Sequence, residues 1–86
     1  MSIHPRATID PTATIDPTAT IGPAWVRAGA TIGEGATVEF DALVGARAVL
    51  GPRTVVHAGA TIGEGAVVEA GTVIKPTEVR EWIAEV

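Results

Sequence analysis

The sequence predicts an all-β protein built as a parallel β-helix, and three observations predict it. Aliphatic residues return every six positions, at Ile3, Ile9, Ile15 and Ile21, then at Val26, Ile32, Val38, Val44, Leu50, Val56, Ile62, Val68 and Ile74, with one five-residue step between Ile21 and Val26. A small residue stands two positions before almost every one of them, as Ala7, Ala30, Thr54 and Thr72 illustrate. All six prolines, and five of the ten glycines, fall at fixed phases between these pairs. Self-similarity at a fixed short period marks a repeat architecture, and hexapeptides are among the periods that build β-helices.

Each repeat has the same internal logic. Residues two apart on a strand share a face, so the small and the aliphatic residue both point inward and the residue between them points out. Gly29 and Gly59 typify the glycines that stand three positions after an aliphatic residue, where a turn asks for a positive φ. Prolines 5, 11, 17, 23, 52 and 76 stand two positions after one, where no ladder hydrogen bond is lost. Apolar spacing of three and four, the mark of a helix, is absent before residue 78.

The stretches "IHPRATIDPTATI", "ATIGEGA" and "AVLGPRTVV" resemble the hexapeptide-repeat proteins, whose fold is a left-handed parallel β-helix. The resemblance covers residue 3 to about residue 76. It implies left-handed coils of triangular section and a homotrimer with parallel axes. It is specific for fold and weak for function, because acyltransferases, γ-class carbonic anhydrases and nucleotidyltransferase tails share the motif.

With three sides per coil the chain makes a little over four triangular coils. Side A holds Ile3, Ile21, Val38, Val56 and Ile74; side B holds Ile9, Val26, Val44 and Ile62; side C holds Ile15, Ile32, Leu50 and Val68. Two near-copies, "RAGATIGEGATVE" from Arg27 and "HAGATIGEGAVVE" from His57, lie thirty residues apart. Thirty residues is five sides, so the copies fall on different faces. The shared unit therefore reads as a construction module rather than a duplicated site. Such near-identity fits a recent duplication or an idealised, engineered or de novo sequence.

Residues 1–76 thus form the β-helix, and residues 77–86 change period. Thr77 can cap, Glu78 suits a first turn, and Val79, Trp82, Ile83 and Val86 make one apolar stripe. This predicts a short C-terminal amphipathic α-helix that covers the last coil or packs on a neighbouring subunit.

Composition bounds the function. Eighty-six residues make one domain of marginal stability, so association is an expected supplement. There is no cysteine for disulfides or thiolate metal sites. A net charge of −4 with six scattered basic residues argues against nucleic acid. No targeting signal or membrane-spanning apolar run is evident, so the expectation is a soluble, cytoplasmic protein without a membrane partner.

Two sets of residues are candidates for function. Trp25 and Leu43 point outward on side B in adjacent coils, and Phe40 occupies the corner beside them, so the three make one apolar patch suited to self-association. His4, Gly22, Glu39, His57 and Lys75 fall in one outward column at about 4.8 Å spacing. There Glu39 is placed to orient His57 as a general base. In the acyltransferases that this chain resembles, a histidine in a cleft between subunits deprotonates the acceptor, with coenzyme A as the acyl carrier.

No cleft-forming loop is evident around His57. "TVVHAG" resembles the segment bearing a zinc-ligand histidine in γ-class carbonic anhydrases, but the later pair of histidines those enzymes need is missing. No metal or cofactor is expected. Outward threonines 8, 14 and 20 fall on three different sides, which is not the flat array that ice-binding members use. The expectation is a homotrimeric structural or assembly scaffold without a complete catalytic site. The alternative is a minimal acyltransferase with His57 at a subunit boundary and coenzyme A as its partner.

Overall fold

The computed structural model describes residues 2–76 and 79–80. Among the described residues fourteen two-residue strands alternate with corners and stack into three parallel sheets, making a β-solenoid of about four coils. Face A carries β1 (Ser2–Ile3), β4 (Thr20–Ile21), β7 (Thr37–Val38), β10 (Val55–Val56) and β13 (Val73–Ile74). Face B carries β2 (Thr8–Ile9), β5 (Trp25–Val26), β8 (Leu43–Val44), β11 (Thr61–Ile62) and β14 (Val79–Arg80). Face C carries β3 (Thr14–Ile15), β6 (Thr31–Ile32), β9 (Val49–Leu50) and β12 (Val67–Val68). The assignment of sides from the six-residue period is the one observed.

The alternation within each strand decides what is buried. From Ala19 to Ala66 the small inward position is buried throughout, and its aliphatic companion is buried from Ile21 to Ile74. Alanine methyls and branched aliphatic chains fill the axis in layers, which suits a prism too narrow for aromatic rings. Thr54 takes a small inward position, and its hydroxyl donates to the Gly51 carbonyl at 3.1 Å, so its burial leaves no polar group unpaired.

Corners come in two chemistries. The third corner residue has a left-handed φ at every sixth position from Gly29 to Gly71. Asp41, Arg47 and Arg53, at +62°, +61° and +58°, hold the places that glycine holds elsewhere in the series. In this geometry the residue's N–H donates to a corner carbonyl one coil earlier, as Arg47 does to Ala28 at 2.9 Å and Gly65 to Ala46 at 2.8 Å. A ladder of hydrogen bonds thus climbs the edges of the prism as well as its faces.

The first coil closes its corners with side chains instead. Asp10 Oδ1 accepts both the N–H (2.8 Å) and the hydroxyl (2.6 Å) of Thr12, and Asp16 accepts the same pair from Thr18. Thr12 and Thr18 then accept the N–H groups of Gly29 and Gly35, each at 2.9 Å. Their hydroxyls stand in for the corner carbonyls that serve this role in later coils. His4 Nδ1 accepts the Arg6 N–H at 3.0 Å in the corresponding corner of face A.

The five-residue step is a tightened corner. The Ala24 N–H donates to the Gly22 carbonyl at 2.7 Å, a three-residue turn around Pro23, whose ring presets the φ such a turn needs. One coil later the full-length corner contains Phe40, and the Asp41 N–H donates back to the Pro23 carbonyl at 3.0 Å.

One expectation is corrected at the C-terminal end. Val79 and Arg80 do not begin a helix: they form β14, in parallel register with Thr61 and Ile62 of β11. The backbone pairing reaches Val79 and Arg80 because strand pairing uses main-chain groups that every residue carries. The remainder of the expected helix, including Trp82, Ile83 and Val86, lies outside the described residues. No described helix is long and apolar enough to cross a membrane.

Candidate functional site

The edge where face A meets face B gathers the sequence-predicted residues. Backbone bonds confirm the column that starts that edge: His4 donates to Ile21, Gly22 to Val38, Glu39 to Val56 and His57 to Ile74. Gly22, Glu39 and His57 therefore follow one another in successive coils. Glu39 and His57 are brought together because they are eighteen residues apart, one full coil.

Their geometry is that of an oriented imidazole. Glu39 Oε1 lies 3.4 Å from His57 Nδ1 and accepts the Ala58 N–H at 3.2 Å. In the tautomer that carries its proton on Nδ1, the ring donates to the Glu39 carboxylate and keeps Nε2 as an acceptor. The backbone bond from Ala58 fixes the carboxylate independently of the ring. Both side chains are about two-fifths exposed, His57 41% and Glu39 39%. Chemically, the pair can bind or transfer a proton at the molecular surface.

The apolar patch lies on the same edge. Trp25 and Leu43 are cross-strand partners on β5 and β8, and Phe40 lies within the corner that leads into β8. Trp25 is 43% exposed and Phe40 57%, whereas Leu43 is partly covered. Val55 and Val73, also register partners, extend the apolar surface along face A up to His57. Within its own coil His57 stands between the outward Val55 of face A and the outward Thr61 of face B.

A surface groove lies along the next edge, between faces B and C, lined by Thr8, Asp10, Arg27, Leu43, Gly45 and Glu64 among others. Glu64 pairs there with Arg47. Sequence reasoning missed this groove. Among the described residues, no group of three or more His, Asp and Glu side chains is arranged to hold a metal ion.

Comparison with known proteins bears on the fold. The family described as bacterial transferase hexapeptide (six repeats) matches residues 41–76. Over that stretch the chain is similar to the hexapeptide-repeat transferases. A solved structure titled as the Arabidopsis UDP-N-acetylglucosamine acyltransferase superposes on this chain with a TM-score of 0.78 at 24% identity. The match covers 83% of this chain and 26% of that one, so the chain spans about a quarter of that structure's length. A hexapeptide transferase family protein from Anaplasma phagocytophilum matches at 18% identity and a TM-score of 0.37, over 85% of this chain and 72% of that one. No curated protein matches the sequence.

Proposed function

We propose that this protein is a self-associating scaffold, a homotrimer of left-handed β-helices that join through the edge carrying Trp25, Phe40 and Leu43. The observation that carries the reading is the exposure of two aromatic side chains on one edge of a prism whose core, among the described residues, contains none. Covering the exposed part of the Trp25 ring alone is worth roughly 2–3 kcal/mol at about 25 cal/mol per Å². Several such contributions from each copy are what a small, thin-cored domain needs.

Light scattering on the 86-residue chain tests it directly. The particle mass is expected to be three times the 8.7 kDa chain, and to fall in Trp25→Lys and in Phe40→Lys without loss of the β-sheet spectrum. A wild-type mass of a single chain contradicts the reading.

The Glu39–His57 pair favours a second reading, a minimal acyltransferase in which His57 Nε2 takes the proton of an acceptor at a subunit boundary. The support is the imidazole oriented by Glu39, together with an acyltransferase among the structures of the same fold. That reading requires coenzyme A binding and loss of turnover in His57→Ala. Absence of both leaves the scaffold.

A further inference from the structure

We infer that the groove between faces B and C binds an α-amino acid with an apolar side chain, its ammonium group on Asp10, its carboxylate on Arg27 and its side chain along Gly45 and Leu43. The backbone sets these residues in order. Asp10 donates to Val26, Arg27 to Val44 and Gly45 to Ile62, so the three occupy one corner position in successive coils, at about 4.8 Å spacing. The groove they line holds about 650 Å³. That is the size of sites that take small organic ligands, which are mostly apolar with a few placed polar groups.

Both charged groups keep bonding capacity in reserve. Asp10 Oδ1 accepts the hydroxyl and the N–H of Thr12, whereas Oδ2 has no partner among the described residues. The same two bonds, the hydroxyl's first, hold the Asp10 carboxyl below its ordinary value of 3.8, so it is an anion at neutral pH. The Arg27 guanidinium is exposed and makes no ion pair among the described residues. Arg47 differs, because it pairs with Glu64 at the far end of the groove. Asp10 and Arg27 thus present unlike charges one coil apart without joining each other.

Charge decides the class of ligand. A simple organic anion placed on Arg27 also meets the Asp10 carboxylate one coil away, and a simple amine placed on Asp10 also meets the guanidinium. A zwitterion with both charges on one carbon gives each residue its counter-ion in a charge-assisted hydrogen bond. Beyond Arg27 the column continues with Gly45, which carries no side chain, beside Leu43 of face B and Ala46 of the corner. An aliphatic or aromatic side chain fits along these residues. Glu64 at the end is already paired, so no further polar group is called for. The groove shares only Leu43 with the aromatic patch, and binding there does not depend on self-association.

Titration of the 86-residue chain with three probes tests it: L-leucine, L-leucinamide, which lacks the carboxylate, and 4-methylpentanoate, which lacks the ammonium group. Amide chemical shifts at Arg27, Gly45 and Ala46 should saturate with L-leucine at a dissociation constant of about 1 mM, the affinity of so small a ligand. Each truncated probe should bind about tenfold more weakly or worse. Arg27→Gln should bring L-leucine and L-leucinamide to equal affinity, and Asp10→Asn should do the same for L-leucine and 4-methylpentanoate. A merely structural role for either residue would weaken all three probes alike. Ala28→Trp, at an exposed position in the groove wall, should abolish binding and keep the wild-type circular dichroism. Arg53→Gln, on the edge between faces C and A, should change none of the three constants. No saturable shift with L-leucine, equal affinity of the wild type for the three probes, or unaltered selectivity in the folded Arg27 and Asp10 variants overturns the assignment. So do nuclear Overhauser contacts to the Ala28 and Ala46 methyls from residues 81–86 or from a second copy in the ligand-free chain.

Discussion

Thr12 and Gly29 are joined across two coils by one hydroxyl, which donates to Asp10 at 2.6 Å and accepts the Gly29 N–H at 2.9 Å. Thr18 makes the same relay between Asp16 and Gly35. Later coils achieve the contact with main-chain carbonyls alone, so the first coil is fastened to the second by side chains at two of its edges.

Replacing Thr12 or Thr18 by valine keeps the shape and removes the relay. Each change is expected to cost about 0.5–1.5 kcal/mol, read as a drop in thermal midpoint of several degrees for a domain of this size. The double variant should lose amide-exchange protection in coil 1 before the remainder.

The relay also makes the first coil acid-sensitive. The bonds from the Thr12 hydroxyl and then the Thr12 N–H hold the Asp10 carboxyl below its ordinary value of 3.8, and Thr18 does the same for Asp16. A carboxyl lowered in the folded state contributes stability that is fully present above its unfolded value and is lost as pH falls through the folded one. Stability is expected to be flat in this respect above about pH 5 and to decline below about pH 4. Asp10→Asn with Asp16→Asn should flatten that decline in denaturant titrations at stepped pH.

Two glycines separate strain from space. A Cβ on Gly45 would lie 2.7 Å from each of three backbone atoms, the Ile62 oxygen, the Gly63 carbonyl carbon and the Glu64 nitrogen. On Gly65 it would meet nothing within 4 Å, but φ there is +73°. Gly65→Ala is expected to cost about 1 kcal/mol from backbone strain. Gly45→Ala should cost about 3 kcal/mol or more by forcing the coils apart, and chemical denaturation would rank them.

Core truncations should show a gradient along the axis. Ile62, fully buried, is expected to cost about 2–5 kcal/mol on replacement by alanine. Ile3, at the open end, should cost well under half as much in the same denaturation measurement, because its side chain already meets water in the isolated chain.

The face assignment was legible because burial and strand period coincide: Ile21, Val38 and Val56 repeat at the spacing that one coil requires. The Glu39–His57 contact was legible for the same reason, as a separation of one coil. The strand at Val79–Arg80 was not. "TEVREWIAEV" carries helical apolar spacing, and the pairing that overrides it at these two residues is main-chain and leaves no mark on side-chain pattern. Left-handed φ at Arg47 and Arg53 was hidden because arginine signals no turn, and only the phase set by neighbouring glycines places it there. The groove beside Arg27 and Glu64 depends on how corners stack, which period alone does not encode.

The tightened corner at Gly22, Pro23 and Ala24 has a consequence for how the chain finds its thread. Near-identical hexapeptides can in principle wind one side out of phase, since an inward aliphatic meets an inward aliphatic at any whole-unit slip. A corner one residue short does not slip with them. Displaced by one side, it would sit beneath a full-length corner on the wrong edge and forfeit the Asp41–Pro23 bond. Restoring the missing residue between Pro23 and Ala24 should therefore yield slower, multiphasic refolding of an otherwise familiar sheet. Pro23 acts as the index mark on a ruler whose divisions are otherwise almost all alike.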